Sequence, residues 1–520
     1  MVLPWQEGLT GASMVLRSLA RWRGRTAFSG AGGKIRYEQA YDLIGRYQAA
    51  MQAAGARRGQ RFASLSPNRA DAWLAGVAAS GLGLATTPLH PLGALDDHQF
   101  ILDDAEIDFL LVDSDAFPER GAALAGGVER LHGVFTLGPA DYGIDINAAA
   151  EAAGAVSPVD LAEPGDVSTI NYTGGTTGKS KGVLRRHPSG IAMSNAVIAD
   201  FEWPARLDYL AVAPISHVAG TKIVPTLHRG GCIHLMQGFD PERVLATIAA
   251  ECITATVLVP TMIYLLLDCP ALDRTDLSSL ELLLYGASPM SPTRLLEGLE
   301  RLGPVFSQLY GQTEGYPISV LRREDHDPAR PRLFASCGHP CAATEVALLD
   351  DENRPVAPGE VGEISVRAAQ VMEEYLKRPE QSAETLAGGW LHTGDMATAD
   401  EQGYLYIVDR KKDMIVSGGF NLFPREIEDV LSSDPSVAMA AVIGVPDDKW
   451  GEAVKAVIVP RAGARPDPKA LQELVRRRKG GIYTPKTIDI AEAIPLTPIG
   501  KPDKKALRAT YWAGRDRQVG

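Results

Sequence analysis

The chain has 520 residues, of which 45% are hydrophobic and 22% charged, so it is long enough for two or more domains and has an ordinary globular composition. Its formal net charge of −12 argues against nucleic acid or an anionic membrane as the main partner. The N-terminal residues lack the basic segment and apolar core of a secretory signal, and no apolar run reaches roughly 18 residues, so neither export nor a membrane span is expected.

The five cysteines do not form a disulfide framework. Their number is odd, and no two of them stand in a C-x-x-C pair. We therefore expect buried, reduced thiols in a cytoplasmic protein. The residues are Cys232, Cys252, Cys269, Cys337 and Cys341.

In chain order, the first half alternates helices with short apolar strands. Residues 36–55 have the pattern of an amphipathic helix. Short apolar runs separated by helices predict parallel sheets that are covered on both faces. The predicted strands are Phe109–Val112, Val167–Tyr172, 232–236, 255–259 and 282–285.

The pattern changes twice in the second half. Near Thr344, strands at Glu345–Leu349 and 363–366 flank a turn-rich segment and predict a small antiparallel, β-barrel-like unit. The charged run 409–413 is typical of a solvated loop, and a compact α+β pattern follows it. The fold class is therefore α/β, with a large N-terminal domain (1–408), a hinge (409–412) and a small C-terminal domain (413–520).

The segment 172–183, which we call the Gly/Thr loop, holds four glycines, four hydroxyl residues and two lysines. Backbone N–H groups beside glycine, hydroxyls and ammonium groups are the donors that grip a polyphosphate. Gly178-Lys179-Ser180 ends like a P-loop, but the first glycine of that pattern would fall at Thr173. The alternative is a plain surface loop, although it follows an apolar strand directly.

Four further motifs follow the Gly/Thr loop in order. Together with it they resemble the adenylate-forming superfamily, and above all its AMP-dependent acyl-CoA synthetases, from about residue 10 to 510. This superfamily also includes firefly luciferase and the adenylation domains of peptide synthetases. The motifs are Tyr310-Gly311-Gln312-Thr313-Glu314, Thr393-Gly394-Asp395, Asp409-Arg410 through Gly418-Gly419 to Glu426-Ile427-Glu428, and Pro498-Ile499-Gly500-Lys501.

The resemblance implies a reaction in two halves. A carboxylate attacks the α-phosphorus of ATP, with Mg²⁺, to give an acyl-AMP and pyrophosphate. A thiol, here that of CoA, then attacks the acyl carbon and displaces AMP. Because both partners of the first half are anionic, the site must neutralise charge and fix geometry.

The same resemblance assigns the phosphate contacts. Thr313 would contact the α-phosphate, and Glu314 would hold Mg²⁺, a hard cation suited to a carboxylate and phosphate oxygens. A solvated loop carboxylate is the alternative for Glu314. The β- and γ-phosphates would be held by Thr173, Gly174, Gly175, Thr176, Thr177, Gly178 and Lys181.

The nucleoside contacts follow in the same way. Asp395 would accept hydrogen bonds from both ribose hydroxyls. The alternative is that its side chain caps the N-terminus of a helix. Arg410 would contact ribose or phosphate, and Tyr310, followed by Gly311, would stack on adenine. The adenine and acyl pockets would be walled by Gly286, Ala287 and Ser288.

Two lysines and a histidine would carry the chemistry and the motion. Lys501 would bridge the substrate carboxylate and the α-phosphate, while its neighbours Lys504 and Lys505 would be solvated. Lys412 matches the hinge about which the C-terminal domain rotates between the two half-reactions. His217 would position the acyl group or gate its pocket, or act as a general base. The alternative is a histidine that is buried in the core with its hydrogen bonds satisfied.

The acyl pocket implied by the resemblance is apolar and closed by aromatic side chains. It suits an aryl, cyclic or medium-length acid. Its residues are His217, Val218, Gly220, Thr221, Tyr285, Gly286, Ser288 and Tyr316. In this family homodimers are common, so a homodimer is possible here.

The acyl acceptor is less well defined. Trp450 could lie beside the nucleotide of CoA, or it could be an ordinary surface aromatic. The basic cluster 476–479 could contact the phosphates of CoA, or it could be a solvated helix end. Family members often carry a second lysine where this chain has Tyr483-Thr484-Pro485-Lys486, so an amide synthetase that passes the acyl group to an amine is the rival. A P-loop phosphotransferase or a nucleotide-binding module is the remaining alternative.

Overall fold

The computed structural model describes residues 9–173, 180–288, 290–417, 420–447, 450–496 and 502–512. In that part of the chain, none of the helices has the length and apolarity that a membrane span requires.

The helices are distributed along the whole chain. They are α1 (Gly11–Arg21), α2 (Tyr37–Ala53), α3 (Ala70–Gly81), α4 (Leu95–Asp104), α5 (Pro118–Gly127), α6 (Ile146–Ala153), α7 (His187–Asp200), α8 (Ile223–His228), α9 (Pro241–Glu251), α10 (Pro260–Leu267), α11 (Pro292–Leu302), α12 (Pro379–Thr385), α13 (Pro424–Ser432), α14 (Pro468–Lys479) and α15 (Lys504–Tyr511).

The strands alternate with these helices up to about residue 310. They are β1 (Thr26–Gly30), β2 (Gly33–Arg36), β3 (Arg61–Leu65), β4 (Ala85–Pro88), β5 (Phe109–Val112), β6 (Gly133–Thr136), β7 (Ile144–Asp145), β8 (Val167–Tyr172), β9 (Gly182–Arg186), β10 (Asp208–Ala211), β11 (Cys232–Leu235), β12 (Ala255–Leu258), β13 (Leu282–Gly286), β14 (Phe306–Gln312), β15 (Gly315–Leu321), β16 (His339–Pro340), β17 (Glu345–Leu349), β18 (Gly362–Arg367), β19 (Glu374–Tyr375), β20 (Leu391–Ala399), β21 (Leu405–Arg410), β22 (Ile415–Ser417), β23 (Phe420–Leu422), β24 (Val437–Asp447), β25 (Gly451–Pro460) and β26 (Thr487–Ile490).

The α/β fold class is confirmed. Strands β5 and β8 coincide with their predicted ranges, and β11, β12 and β13 differ from theirs by one residue at the end. Helix α2 lies inside the predicted range and buries Ile44, Tyr47 and Met51 along one face, as its periodicity requires.

Two large sheets form most of the molecule. The nine-stranded sheet has the order β16-β15-β14-β13-β12-β10-β11-β1-β2, and the eight-stranded sheet has the order β19-β9-β8-β4-β3-β5-β6-β7. The central strands of both are parallel, and antiparallel pairs occur towards the edges. Ligands of such sheets usually bind beyond the carboxyl ends of the parallel strands.

The main hydrophobic core joins these two sheets. It contains Phe28 and Tyr209 from the nine-stranded sheet and Phe62 and Phe109 from the eight-stranded sheet, together with residues of α2 and α3. Each of these four aromatic side chains is at most 1% exposed. The core therefore fixes the two sheets, and the strand ends they carry, relative to each other.

Two smaller antiparallel units follow. Strands β17, β18, β20 and β21 form a four-stranded sheet where the small antiparallel unit is predicted. Strands β22 to β26 form a five-stranded sheet whose members all come after Asp413. Helices α13 and α14 pack on this last sheet through Ile427, Leu431 and Val475.

Asn68 ties the carboxyl ends of β10 and β11 to the segment that precedes His217. Its side chain is 6% exposed, and Nδ2 donates to the carbonyl oxygens of Ala213 and Met236 at 3.0 Å each. Its Oδ1 accepts a hydrogen bond from the backbone N–H of Ile215 at 2.9 Å. Because a buried amide with all these partners has one low-energy orientation, the 213–217 segment is held in place.

The charged run 409–413 is not the solvated loop that its composition predicts. Asp409 is 6% exposed and accepts hydrogen bonds from the backbone N–H groups of Arg410 at 2.6 Å and Arg425 at 2.8 Å. Asp413 forms an ion pair with Arg508. The two aspartates are therefore partners of α13 and α15, which the local sequence does not reveal, whereas Lys411 and Lys412 are exposed as predicted.

Two further expectations need correction. Lys504, predicted to be solvated, is only 16% exposed and its Nζ lies 2.8 Å from Oε1 of Glu428, whereas Lys505 is exposed. Cys252 is exposed at the end of α9, whereas the other four cysteines are buried; none of the five is in a disulfide.

Candidate active site

The Gly/Thr loop connects two antiparallel strands, β8 and β9. Tyr172 pairs with Gly182, and the backbone N–H of Thr173 donates to the carbonyl oxygen of Lys181 at 3.0 Å. A P-loop instead leads from a strand into the N-terminus of a helix. The predicted phosphate contacts Gly174, Gly175, Thr176, Thr177 and Gly178 lie outside the described residues.

Glu314 meets the base of this loop through Tyr375. The hydroxyl of Tyr375 donates to Oε1 of Glu314 at 2.6 Å, and Nζ of Lys181 lies 4.1 Å from the centre of the Tyr375 ring. Burial, together with the Glu314 carboxylate, raises the pKa of Tyr375 above its usual range, so its hydroxyl keeps the proton that it donates. Glu314 and Lys181 thus both contact Tyr375, a residue that the motifs do not indicate.

Arg185 lies behind the Thr313–Glu314 segment. It is 4% exposed and its guanidinium donates to the backbone carbonyl of Thr313. Burial lowers the pKa of Arg185 to about 10, and the Glu314 carboxylate opposes this shift. The sequence gives no sign of this residue, because an arginine within a strand is ordinary and its partner is 128 residues away.

Asp395 is the centre of a second cluster. It is 4% exposed, its Oδ1 lies 2.6 Å from Nε of Arg410, and its Oδ2 accepts the hydroxyl of Tyr310 at 2.6 Å. Asp395 and Arg410 face each other across β20 and β21, which explains why residues of two distant motifs meet. The Asp395 carboxylate raises the pKa of Arg410, and burial together with Asp395 raises that of Tyr310.

The segment 286–288 follows the carboxyl end of β13. A Cβ on Gly286 would lie 2.3 Å from the carbonyl oxygen of Leu309, so only glycine fits between β13 and β14. Ala287 has a positive φ of 64°, and it is exposed next to the partly exposed Ser288. The chain therefore turns away sharply at the carboxyl end of β13, where a ligand can approach its backbone.

His217 lies against a second histidine, His90. Their ring centres are 4.5 Å apart in an edge-on arrangement, and Nδ1 of His217 is 3.0 Å from Oγ of Ser216. Burial, with His90 nearby, lowers the pKa of His217 to about 4, so the ring is neutral at pH 7. His90 follows β4 in the other large sheet, and no motif marks it.

Most predicted acyl-pocket residues cluster around the start of α8. Val218, Gly220 and Thr221 are partly exposed, and Tyr316 reaches this segment from β15. Lys222, which the sequence analysis did not single out, is fully buried, and its Nζ donates to the hydroxyls of Thr221 and Tyr316. Burial lowers the pKa of Lys222 well below its usual range.

Tyr285 is not brought into this group. It is 1% exposed, and its hydroxyl lies 3.0 Å from Nε2 of His326. It packs in a separate core cluster with Phe306 and Phe334. Successive strand residues point to opposite faces, and Leu284 occupies the face towards the main core.

The predicted hinge and acceptor residues lie in or beyond the short turn after β21. Lys412 is an exposed residue of a 3₁₀ turn, Lys411–Asp413. Lys501 lies outside the described residues. Trp450 is 41% exposed with Nζ of Lys486 lying 6.0 Å from its ring centre, and the basic cluster 476–479 is exposed at the end of α14.

The two clusters are electrostatically connected. Arg410 is paired with Asp395, and the Glu314 carboxylate also contributes to its raised pKa. The Asp395 carboxylate can accept hydrogen bonds from hydroxyls, and the Glu314 carboxylate can hold a cation. Such an arrangement can bind a sugar on one side and a metal-bound phosphate on the other.

Known proteins are similar to this chain over most of its length. Residues 15–376 match the family model described as AMP-binding enzyme, and residues 426–501 match that of the AMP-binding enzyme C-terminal domain. The chain is 44% identical over 497 residues to the medium/long-chain-fatty-acid–CoA ligase FadD8 of Mycobacterium tuberculosis, which covers 93% of this chain and 86% of the relative.

Two further proteins extend the comparison. A feruloyl-CoA synthase of an Amycolatopsis species is 37% identical over 498 residues, covering 94% of this chain and 96% of the relative. The solved structure of the amide bond synthetase McbA from Marinactinospora thermotolerans has a TM-score of 0.89 and 33% identity, covering 96% of this chain and 100% of that one.

We expect Asp395→Asn to weaken ATP binding by roughly 10- to 100-fold. Hydrogen bonds to a charged group contribute about 1.5–3 kcal/mol each, and the amide keeps only one of the two acceptors. Titration calorimetry with ATP measures the change. Asp351→Asn, whose carboxylate is 80% exposed, is the matched control. A folded Asp395→Asn protein with unchanged ATP affinity would contradict a ribose contact.

Proposed function

This chain belongs to the family of AMP-binding enzymes, and on that premise we propose that it activates a carboxylic acid as an acyl-AMP and passes the acyl group to coenzyme A. The observation that carries the proposal is the ion pair between Asp395 and Arg410, whose pKa the Glu314 carboxylate also raises. Asp395 would hold the ribose and Glu314 the metal-bound phosphates, as an ATP-dependent ligase requires. The matching relatives that are named CoA ligases support the acceptor.

In the first half-reaction, one oxygen of the substrate carboxylate attacks the α-phosphorus of ATP, and the bond to pyrophosphate breaks. The Gly/Thr loop would hold the leaving group, and Thr313 the α-phosphate. Arg185 stiffens this segment from behind by binding the Thr313 carbonyl. Because the donors are fixed before reaction, they stabilise the developing charge without reorganisation.

The donor set at Glu314 fits Mg²⁺. One of its carboxylate oxygens is taken by Tyr375, which leaves the other for a hard cation that takes its remaining ligands from phosphates and water. When bound there, Mg²⁺ would neutralise phosphate charge. Tyr375 orients the carboxylate for this task.

In the second half-reaction, the thiol of CoA attacks the acyl carbon and AMP leaves. His217 is neutral at pH 7 because burial lowers its pKa, so it can position the acyl group without adding charge. The acyl pocket would lie beside it, among Val218, Gly220, Thr221 and Tyr316, and would take an aryl, cyclic or medium-length acid. Two relatives are named for a medium- or long-chain fatty acid and for ferulate.

An amine acceptor is the second candidate, because a structurally similar protein is named an amide bond synthetase. This chain lacks one of the two lysines that family members often carry at 483–486, and the Nζ of the remaining one, Lys486, is paired with Asp447 at 2.5 Å.

Carboxylate-dependent exchange of pyrophosphate into ATP is the test of the whole proposal. We expect exchange with members of a panel of aryl, cyclic and medium-chain acids, and AMP release that depends on CoA. Release that depends on an amine instead would favour the rival acceptor. Production of ADP, or no turnover with any acid, would contradict an acyl-AMP mechanism.

We expect Lys501→Ala to lower acyl-AMP formation by about a hundred- to a thousand-fold, since a preorganised donor to the transition state is worth roughly 3–4 kcal/mol. Thioester formation from supplied acyl-AMP should be largely kept. Quenched single-turnover assays measure each half separately. Lys505→Ala removes an exposed lysine of α15 and is the control. Equal loss in both halves would contradict the assignment.

The hinge is proposed at Lys412, in the turn that directly follows β21. Lys412→Pro would fix φ there and so retain one half-reaction while losing the other. Lys412→Ala removes the side chain but keeps the backbone freedom, so it should perform both. If Lys412→Pro turns over as fast as the wild-type chain, the domain rotation does not occur at this residue.

A further inference from the structure

A group of potential metal ligands lies at the end of the nine-stranded sheet away from the candidate active site. Asp208 is the first residue of β10, and Cys232 is the first residue of β11. These two residues are register partners in parallel strands, and His234 follows Cys232 by two positions. All three side chains therefore point to the same face of the sheet.

The donor atoms of these side chains are close together. One ligand atom from each of Asp208, Cys232 and His234 lies within 4.8 Å of the other two. The distance from Nε2 of His234 to Oδ1 of Asp208 is 3.4 Å. In a tetrahedral zinc site, ligand atoms at 2.0–2.3 Å from the metal are roughly 3.3–3.7 Å apart, so small rotations of the side chains suffice.

A second carboxylate faces the other nitrogen of the histidine. Oε2 of Glu251, the last residue of α9, lies 3.8 Å from Nδ1 of His234. Metal-binding histidines characteristically give their second ring nitrogen to a carboxylate, which fixes the tautomer and the ring orientation. Glu251 is in the position for this role.

Neighbouring cations leave the centre of the group free. Nε of Arg206 binds Oδ2 of Asp208 at 2.7 Å, so Oδ1 still faces His234. Lys34 comes within 4.0 Å of Glu251, on the outer side of the histidine. The Arg206 and Lys34 side chains are 71% and 66% exposed, so both can turn away into solvent.

We propose that Cys232, His234 and Asp208 bind one Zn²⁺ ion, with Glu251 as the carboxylate that orients His234. A thiolate, an imidazole and a carboxylate form the mixed sulfur, nitrogen and oxygen set that zinc accepts, and water would complete four-coordination. The ion would join β10 and β11 to the end of α9. Because the site lies at the starts of strands whose carboxyl ends would carry the acyl and nucleotide pockets, the ion would lie away from the reacting groups.

The test measures metal content, so it is independent of catalysis. The untagged full-length chain is stripped with a chelator, dialysed against Zn²⁺ and analysed for bound metal. We expect one Zn²⁺ per chain, a higher midpoint of thermal unfolding with zinc, and loss of that ion in Cys232→Ser. Cys269→Ser, which changes a buried thiol of another core cluster, should still bind it.

Two measurements remain valid if Cys232→Ser does not fold. Cd²⁺ added to the stripped wild-type chain should give a thiolate-to-cadmium charge-transfer band. Glu251→Gln, which removes only the charge beside Nδ1, should weaken Zn²⁺ binding by about 10- to 100-fold. Absence of a stoichiometric ion, absence of the band, or full binding by a folded Cys232→Ser protein would overturn the proposal.

Discussion

The ion pair between the buried Asp395 and the partly exposed Arg410 is the interaction on which the site depends. It joins two strands of the small antiparallel sheet, and the hydroxyl of Tyr310 connects the same carboxylate to β14 of the nine-stranded sheet. A carboxylate that is 4% exposed is costly unless it is paired and hydrogen-bonded, and Asp395 is both. Loss of one partner would leave a buried charge at the junction of two sheets.

Buried polar groups also determine the rest of the site. Arg185 and Lys222 are removed from water, so both depend on specific acceptors, the Thr313 carbonyl and the two hydroxyls of Thr221 and Tyr316. Such contacts contribute little net stability but allow few alternative arrangements. The cost of burying them is met by the large apolar core between the two sheets.

The sequence predicts the strands well, for a physical reason. Runs such as Phe109–Val112 are apolar because both faces of the strand are covered, and that pattern is local. Asp395 and Glu314 could be singled out because each stands in a motif that resembles the adenylate-forming superfamily. Tyr375 and His90 could not be found in this way, because each acquires its partner only when distant segments meet.

The charged run 409–413 shows that a local pattern can also predict the wrong environment for a residue. Its composition predicts exposure, but the structure gives Asp409 and Asp413 partners on α13 and α15. Tyr285 lies away from the other predicted acyl-pocket residues for a different reason. The pattern of β13 shows that the strand is buried, but not which face of it meets the acyl pocket.

Asp409 and Arg410 are adjacent in the chain, but their side chains bind different parts of the molecule. Arg410 binds Asp395, and Asp409 accepts the backbone N–H of Arg425 at the start of α13, beyond the proposed hinge. Occupancy of the nucleotide site and orientation of the C-terminal domain would then be thermodynamically linked through one peptide unit. Linkage is reciprocal, so a domain orientation that is favoured by bound nucleotide must strengthen nucleotide binding by the same factor. The order of product release and domain rotation would then depend on the coupling free energy between nucleotide binding and domain orientation.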